Sequence, residues 1–217
     1  PGGKRPGIFG FAFPLTALVL GGVTIFITQT RGDILGLGAA FLVLLALFAV
    51  RPPAPAADTL WGRRRIYAGF LVFIIALGGI FWFTRSSEVW SAVPGVSRFR
   101  NLSLKSEEFL PRRIALQAGW KGLKERPFLG WGWDNYNIVF NKHYDPRALR
   151  VNYQETRFDK PHNTLLEYFV VGGVPLGAAY LSILGILVFE ALKLKDRLFG
   201  QIAVAALAGY FVRNLFV

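Results

Sequence analysis

Residues 161–192 read PHNTLLEYFVVGGVPLGAAYLSILGILVFEAL, and they decide the fold of the chain. From Thr164 onward the stretch is almost wholly apolar, without the polar stripe that a surface helix of a soluble protein would show. A helix needs about 20 mostly apolar residues to cross a bilayer, and backbone groups in lipid must pair within the helix. The segment 164–192 is therefore predicted to be a membrane-spanning helix.

Four further apolar runs have the same character, so the sequence predicts five spanning helices and an all-α, polytopic membrane protein. These runs cover residues 8–28, 34–50, 66–83 and 198–217. The domain organisation follows from them. Residues 1–83 hold three spans with a linker at 51–65, residues 84–163 form a long polar loop, and residues 164–217 hold two spans.

The composition agrees with a membrane protein, because 53% of the residues are hydrophobic and the mean hydropathy is +0.40. In a soluble protein, the net charge of +12 would suggest a nucleic-acid partner. Here the basic residues lie between apolar runs, where Lys and Arg collect at membrane edges and near anionic lipid headgroups. There is no nucleic-acid-binding motif, and the absence of cysteine excludes disulfides, thiolate metal sites and a cysteine nucleophile.

The short connections between the runs predict which ends face the cytoplasm. The linker 51–65 contains four Arg and one Asp, and the connection 193–197 contains three cations and one Asp. Both connections, with Lys4 and Arg5, are expected on the cytoplasmic side under the positive-inside rule. Five alternating spans then bring Arg31 and the loop 84–163 to the outer face.

The polar loop contains a predicted helix at 107–126, which has an acidic first turn and basic residues near its end and is followed by Pro127. We expect this helix to lie at the level of the lipid headgroups. Aromatic and polar residues come next: Trp131, Trp133, Asp134, Asn135 and Tyr136. Two interpretations of them stay open. The rings could form an interfacial belt, or they could stack on sugar rings while Asp134 and Asn135 bind hydroxyls.

His162 lies directly before an apolar run, and hence at the membrane surface. Thr164 and Glu167 have the spacing of a capping box, with Thr164 as the predicted N-cap. A helix N-terminus disfavours a protonated imidazole and can receive phosphate oxygens. His162 could therefore be a proton acceptor, although a lone interfacial histidine is more often structural. The other histidine, His143, is expected to be exposed, and the two give no case for a metal site.

Arginines are the candidates for an anion site. Arg31 follows the Thr-rich end of the first run, and Arg112 and Arg113 lie in the predicted loop helix. Arg31 could extend to the lipid headgroups, or it could hold a pyrophosphate together with Arg112. A guanidinium group suits the second role because its fork makes paired, charge-assisted hydrogen bonds.

Three motifs occur in a fixed order. Residues 30–32 read Thr-Arg-Gly, Arg112 is followed by a helix and the Pro-x-x-Gly-x-Gly pattern of 127–132, and His162-Asn163 precedes Leu166-Glu167 and two spaced glycines. The order, spacing and shared sidedness of these motifs resemble those of the O-antigen ligase and polymerase superfamily of bacterial envelope proteins. That superfamily has Ser-Arg-Gly at the first motif and His-Asn-x-x-Leu-Glu at the third.

The resemblance implies transfer of a glycan from an undecaprenyl-pyrophosphate carrier to a hydroxyl of an acceptor lipid, glycan or protein. This transfer would invert the anomeric carbon and use no metal or other cofactor. Arg31 and Arg112 would hold the pyrophosphate and stabilise the charge that develops on it. His162 would accept the proton of the acceptor hydroxyl. Arg113, Asn163 and the aromatic segment would bind substrate.

The chain also departs from the family pattern. Leu116 stands where the family usually has Trp. Either Arg112 or Arg113 could be the counterpart of the family's loop arginine, and the helix spacing back from Pro127 favours Arg112. Family members typically have many more than five spans, so the chain resembles the C-terminal-side core of a longer protein. A multi-pass protein of the bacterial inner membrane, with its site on the periplasmic face, is implied. The alternatives are a transporter or channel fragment with an anion-binding vestibule, and a non-catalytic scaffold.

Overall fold

The computed structural model describes residues 16, 19–24, 31–53, 60–92, 109–150 and 157–216, and the regular structure in these ranges is helical. The α-helices are α1 (Arg31–Val50), α2 (Leu60–Thr84), α3 (Leu110–Glu125), α4 (Tyr136–Lys142), α5 (Thr164–Lys193) and α6 (Arg197–Asn214). Short 3₁₀ helices lie at Glu88–Ala92 and Pro146–Arg150, and residues 19–24 are also helical. The predicted all-α fold is confirmed.

Three described helices are long and apolar enough to cross a membrane: Gly32–Val50, Gly62–Thr84 and Thr164–Lys193. They correspond to the second, third and fourth predicted runs. The fifth run forms α6, which is less apolar because it contains polar residues such as Gln201 and Arg213. Most of the first run, and residues 54–59 of the predicted linker, lie outside the described part of the chain.

Helices α1 and α6 are antiparallel. The start of α1 and the end of α6 therefore lie at one end of the helical assembly, and the end of α1 and the start of α6 lie at the other. At one end, Asp33 in the first turn of α1 pairs with Arg213 in the last turn of α6. At the other end, Gln201 near the start of α6 donates hydrogen bonds to the carbonyls of Leu47 (3.3 Å) and Arg51 (2.6 Å). We name the end with Asp33 the site end, and the end with Gln201 the far end.

Small residues bring α1 and α6 into close contact. A Cβ atom added to Gly36 would lie 2.7 Å from the carbonyl oxygen of Gly209. One added to Gly209 would lie 2.8 Å from the Cβ of Ala40. Helices in lipid associate through such close packing of small residues, because the hydrophobic effect does not drive their association there.

Helix α5 is broken at Gly173, whose φ of 70° and ψ of −171° are not helical. Pro175 contributes to the break because it has no N–H to donate to the carbonyl of Val171. The rings of Tyr168 and Tyr180 lie 4.6 Å apart, whereas a straight helix would separate these residues by about 18 Å along its axis. Residues 174–193, after the break, span about 30 Å, which matches the hydrocarbon core of a bilayer.

The Pro-x-x-Gly-x-Gly segment, residues 127–132, fills this break with its backbone. The N–H of Trp131 donates a hydrogen bond to the carbonyl of Val170 at 2.9 Å. The N–H of Gly132 donates to the carbonyl of Val171, also at 2.9 Å, where Pro175 cannot. The carbonyls of Val170 and Val171, which the break frees, are thus satisfied by the protein backbone.

The buried hydrophobic core lies mainly in one layer, which we name the cap: residues 110–150 and 157–172. The core residues come from α3, α4, the second 3₁₀ helix, the segment before α5 and the start of α5, and they include Ile114, Ala118, Tyr136, Val139, Phe140, Phe158 and Val170. The predicted loop helix is confirmed as α3, although residues 93–108, and so the acidic first turn at 107–108, lie outside the described part. The cap positions the polar residues of the loop against the start of α5.

Candidate functional site

Asn163 caps the N-terminus of α5. Its Oδ1 accepts a hydrogen bond from the N–H of Leu166 at 2.9 Å, and its Nδ2 donates to the carbonyl of Leu215, 3.2 Å away, just beyond the end of α6. The predicted cap at Thr164 is therefore wrong by one residue. Thr164 is the first helical residue, and Asn163, with extended backbone, takes the cap. Asn163 thereby fixes the neighbouring His162 at the site end.

His162 has a strained backbone and a packed ring. Its φ of 55° is a left-handed value that residues other than glycine rarely adopt, and such strain clusters at functional sites. The imidazole stands edge-on to the ring of Phe158, with centroids 5.6 Å apart and an interplanar angle of 88°. Phe158 is buried in the core of the cap. The surrounding structure therefore determines the orientation of His162.

Arg112 on α3 lies within electrostatic reach of His162. Burial lowers the pKa of His162 below its usual value of 6.5, and the positive charge of Arg112 lowers it further. The N-terminus of α5 acts in the same direction, because the helix dipole opposes a cation there. The imidazole is consequently neutral at pH 7 and able to accept a proton. His162 and Arg112, which are far apart in the sequence, are brought together here.

Arg113, the neighbour of Arg112, is partly buried, and its Nε is a buried atom with no hydrogen-bond partner among the described residues. Leaving a buried guanidinium nitrogen unsatisfied is costly, so this atom calls for a polar ligand or solvent. Arg112 interacts electrostatically with His162, whereas the free donor belongs to Arg113. Both arginines therefore remain candidates for binding an anion.

The third predicted catalytic residue, Arg31, is the first residue of α1. Its side chain lies outside the described part of the structure, but the position of its neighbour is informative. A Cβ atom added to Gly32 would lie 3.3 Å from the Cβ of Phe216. Leu215, directly before Phe216, accepts the hydrogen bond from Asn163. Gly32, next to Arg31, and the side chain of Asn163, next to His162, thus lie against the same short segment.

An ion pair not foreseen from the sequence lies at this end. Arg213 Nε donates a hydrogen bond to Asp33 Oδ1, and Asp33 follows Arg31 by two residues. A signal for it existed, because the predicted topology brings the start of the second run and the end of the fifth to one face. Beside the pair is a cavity of about 470 Å³ between α1, α6 and residues 19–24, lined mostly by small and apolar residues.

Three residues of the predicted substrate-binding segment have structural contacts. Tyr136 is 1% exposed, and its hydroxyl donates to the carbonyl of Ala115 at 2.5 Å. Trp131 donates its indole N–H to the carbonyl of Gly122 at 2.8 Å. Asn135 donates from Nδ2 to the carbonyl of Trp131 at 2.9 Å. Trp131 and Tyr136 thereby hold the segment against α3, so the polar groups of these three residues have structural partners.

Trp133 and Asp134, by contrast, are accessible. Trp133 is 63% exposed, and its ring lies 6.1 Å from that of Tyr168. Asp134 is exposed, has a φ of 58°, and interacts electrostatically with Glu167 in the first turn of α5. Both residues therefore lie near the start of α5, which His162 precedes.

His143 is not the exposed residue that the sequence predicts. Its side chain is only 16% exposed, and its Nε2 lies 3.0 Å from Glu125 Oε1 at the end of α3. The prediction is wrong because α4 packs against α3 and brings the ring to this carboxylate. His143 therefore has a structural environment that differs from that of His162.

Comparison with known proteins supplies the family. A sequence profile described as O-antigen ligase matches residues 16–181, which is more than half of the chain. This region includes Arg31, Arg112 and His162. No curated protein and no solved structure matches the chain. The chain belongs to the O-antigen ligase family of membrane glycan-transfer proteins.

Proposed function

We propose that this chain transfers a glycan from a polyprenyl-pyrophosphate carrier to a hydroxyl of an acceptor. The observation that carries the proposal is the proximity of Arg112 to a half-buried His162 at the site end, where burial and then this positive charge lower the pKa of the imidazole. Family membership indicates glycan transfer at a membrane in general. The two side chains support a specific division of roles, in which one group accepts a proton and another stabilises an anion.

His162 accepts the proton in this proposal. As the acceptor oxygen attacks the anomeric carbon, the bond between that carbon and the pyrophosphate oxygen breaks, and its electron pair stays on the pyrophosphate. The proton of the acceptor hydroxyl passes to the neutral imidazole, which later releases it to solvent. Attack from the side opposite to the leaving group inverts the anomeric carbon.

Guanidinium groups stabilise the leaving group. Negative charge builds on the pyrophosphate as the bond breaks, and Arg112 and Arg31 hold it with charge-assisted hydrogen bonds. The free Nε of Arg113 supplies a further donor. Because these cations can take the role that a divalent ion has in many phosphate-handling enzymes, we propose that transfer needs no metal or other cofactor.

The two substrates have distinct places in this proposal. The cavity beside Asp33 and Arg213 suits a polyprenyl chain, because its lining is largely apolar. Trp133 offers an exposed ring on which a sugar can stack, and Asp134 offers a carboxylate for sugar hydroxyls. The acceptor is a lipid, a glycan or a protein with a free hydroxyl. The basic far end supports an orientation with the site end in the periplasm of a bacterial inner membrane.

A transporter is the alternative that one observation favours, because α5 is interrupted within an apolar helix, as in many transporters. The interruption at Gly173 is filled by the backbone of residues 127–132. Because the break is filled, it is better explained as the place where the cap is attached to α5 than as a path for an ion.

Reconstitution distinguishes the two functions. Proteoliposomes containing the protein receive a fluorescent glycan on a polyprenyl-pyrophosphate carrier and an acceptor with a free hydroxyl. We expect a new glycosidic bond and an equal amount of free polyprenyl pyrophosphate. Both should be strongly reduced, though still measurable, in Arg112→Gln and retained in Lys124→Gln, an exposed cation on the same helix. Movement of carrier or anion across the membrane without a new bond would contradict the proposal.

A further inference from the structure

A second cavity lies at the far end, on the side of the helices opposite to His162. It has a volume of about 580 Å³ and is formed by the end of α1, the end of α5 and the start of α6. Part of its wall is apolar, with Leu47, Val50 and Leu192. Val50 and Leu192 are 63% and 60% exposed, so this wall continues into the surface that faces lipid.

Gln201 contributes a buried acceptor to this cavity. The side chain is 7% exposed, and its Nε2 donates to the carbonyls of Leu47 and Arg51. These two bonds fix the orientation of the amide, because a flipped amide would set its oxygen against two carbonyl oxygens. Its Oε1 is therefore directed away from them, and it is buried with no partner among the described residues. A group with an O–H or N–H donor would satisfy it.

Cationic side chains complete the lining of the cavity: Arg51, Lys195 and Arg197. The nearby described carboxylates are engaged elsewhere. Asp196 caps α6 by accepting from Phe199 N at 3.1 Å, and Glu190 pairs with Lys193 at 2.9 Å. The cavity thus combines an excess of positive charge, one buried acceptor and an apolar wall.

We propose that this cavity binds one anionic phospholipid with a hydroxylated headgroup. The lipid phosphate pairs with the three cations, a headgroup hydroxyl donates to Gln201 Oε1, and an acyl chain lies along the apolar wall. Free phosphate would satisfy the cations but would leave the apolar wall uncovered. The same end carries further basic residues at the start of α2, where Arg64 Nη2 donates to the carbonyl of Val50 at 2.5 Å. Such basic ends attract anionic lipid surfaces.

Native mass spectrometry of the full protein in a mild detergent tests this proposal, with phosphatidylglycerol, phosphatidylcholine and inorganic phosphate as probes. We expect one phosphatidylglycerol to be retained about tenfold more strongly than phosphatidylcholine. The double variant Arg51→Gln with Lys195→Gln should lose this preference. The control Lys193→Gln removes a neighbouring cation that pairs with Glu190 and does not line the cavity, so it should keep the preference.

Three results would overturn the proposal. Equal retention of the two lipids would show that charge does not select the ligand, and equal loss in the control would show that the effect is not local. Displacement of the lipid by millimolar phosphate would make the free anion the ligand. In a second arm, phosphatidylmethanol, which carries the same single phosphodiester charge but no headgroup hydroxyl, should bind less tightly than phosphatidylglycerol if Gln201 accepts from the headgroup. Equal binding of these two lipids would remove Gln201 from the site.

Discussion

The imidazole of His162 stands at 88° to the ring of Phe158, with centroids 5.6 Å apart. Phe158 also contacts Phe140, whose ring centroid is 4.9 Å away, so one buried residue links His162 to the core of the cap. The histidine proposed to accept a proton is therefore oriented by packing as well as by its backbone. Orientation matters because a misplaced base loses much of its catalytic effect.

Replacement of Phe158 tests this positioning role. Phe158→Leu keeps an apolar side chain of similar size but removes the ring edge, and we expect turnover of glycan transfer to fall about tenfold or more. Phe140→Leu is the matched control, because it alters the same core without touching the imidazole. Turnover and the thermal unfolding midpoint should be measured for both variants. Equal losses of turnover would mean that the effect is general destabilisation of the cap.

The break in α5 gives a prediction about stability. Gly173→Ala puts a Cβ atom 2.4 Å from the carbonyl oxygen of Phe128, at a φ of 70°. We expect a loss of more than about 2 kcal/mol in the free energy of unfolding, because both the contact and the backbone are strained. Gly185→Ala lies in the same helix with nothing within 4 Å of its Cβ and should be close to neutral or stabilising. Equal thermal midpoints of the two variants would argue against the filled break.

The electrostatic contact between Arg112 and His162 predicts a shift in a titration. A nearby positive charge disfavours the imidazolium, so removing it in Arg112→Gln should raise the pKa of His162 towards 6.5. The acid limb of the pH–rate profile should move to higher pH with it, because the base must be neutral. An NMR titration in a His143→Gln background follows His162 alone, since the chain has two histidines. An unchanged pKa would place Arg112 beyond electrostatic reach.

Trp133 is expected to bind the sugar, and Trp120 serves as its control. Both indoles are exposed, but Trp133 lies near Tyr168 in α5, whereas Trp120 projects from α3 beside Lys124. Trp133→Ala should raise the KM for the carrier-linked glycan about tenfold with little change in kcat, because stacking binds ground and transition states alike. Trp120→Ala should leave KM unchanged. Equal effects on KM would assign both rings to the membrane interface.

The sequence predicts the described helices well, because they depend on local patterns. Spanning helices require long apolar runs, and the runs at 34–50, 66–83 and 164–192 coincide with helices that meet this requirement. The end of the loop helix is marked in the sequence by the basic residues near it and by Pro127. The order of the motifs also predicts the family before any contact between Arg112 and His162 is known.

Which side chains face outwards was less predictable. Trp133 and Tyr136 belong to one aromatic segment, yet Tyr136 begins α4 and turns into the core while Trp133 remains exposed. The joint between residues 127–132 and α5 depends on hydrogen bonds between segments distant in sequence, such as Gly132 to Val171. The amino-acid composition does not indicate which way a side chain points or which distant residue it contacts, so these features are seen only in the folded chain.

The central claim is that His162 accepts the proton of the acceptor hydroxyl. The most direct measurement is single-turnover glycan transfer by His162→Ala, compared with His143→Ala, together with binding of the polyprenyl-pyrophosphate carrier to both variants. We expect His162→Ala to lose transfer about 100-fold or more while carrier binding survives. His143→Ala should keep transfer near the original rate. Undiminished transfer by a folded His162→Ala variant would contradict the account.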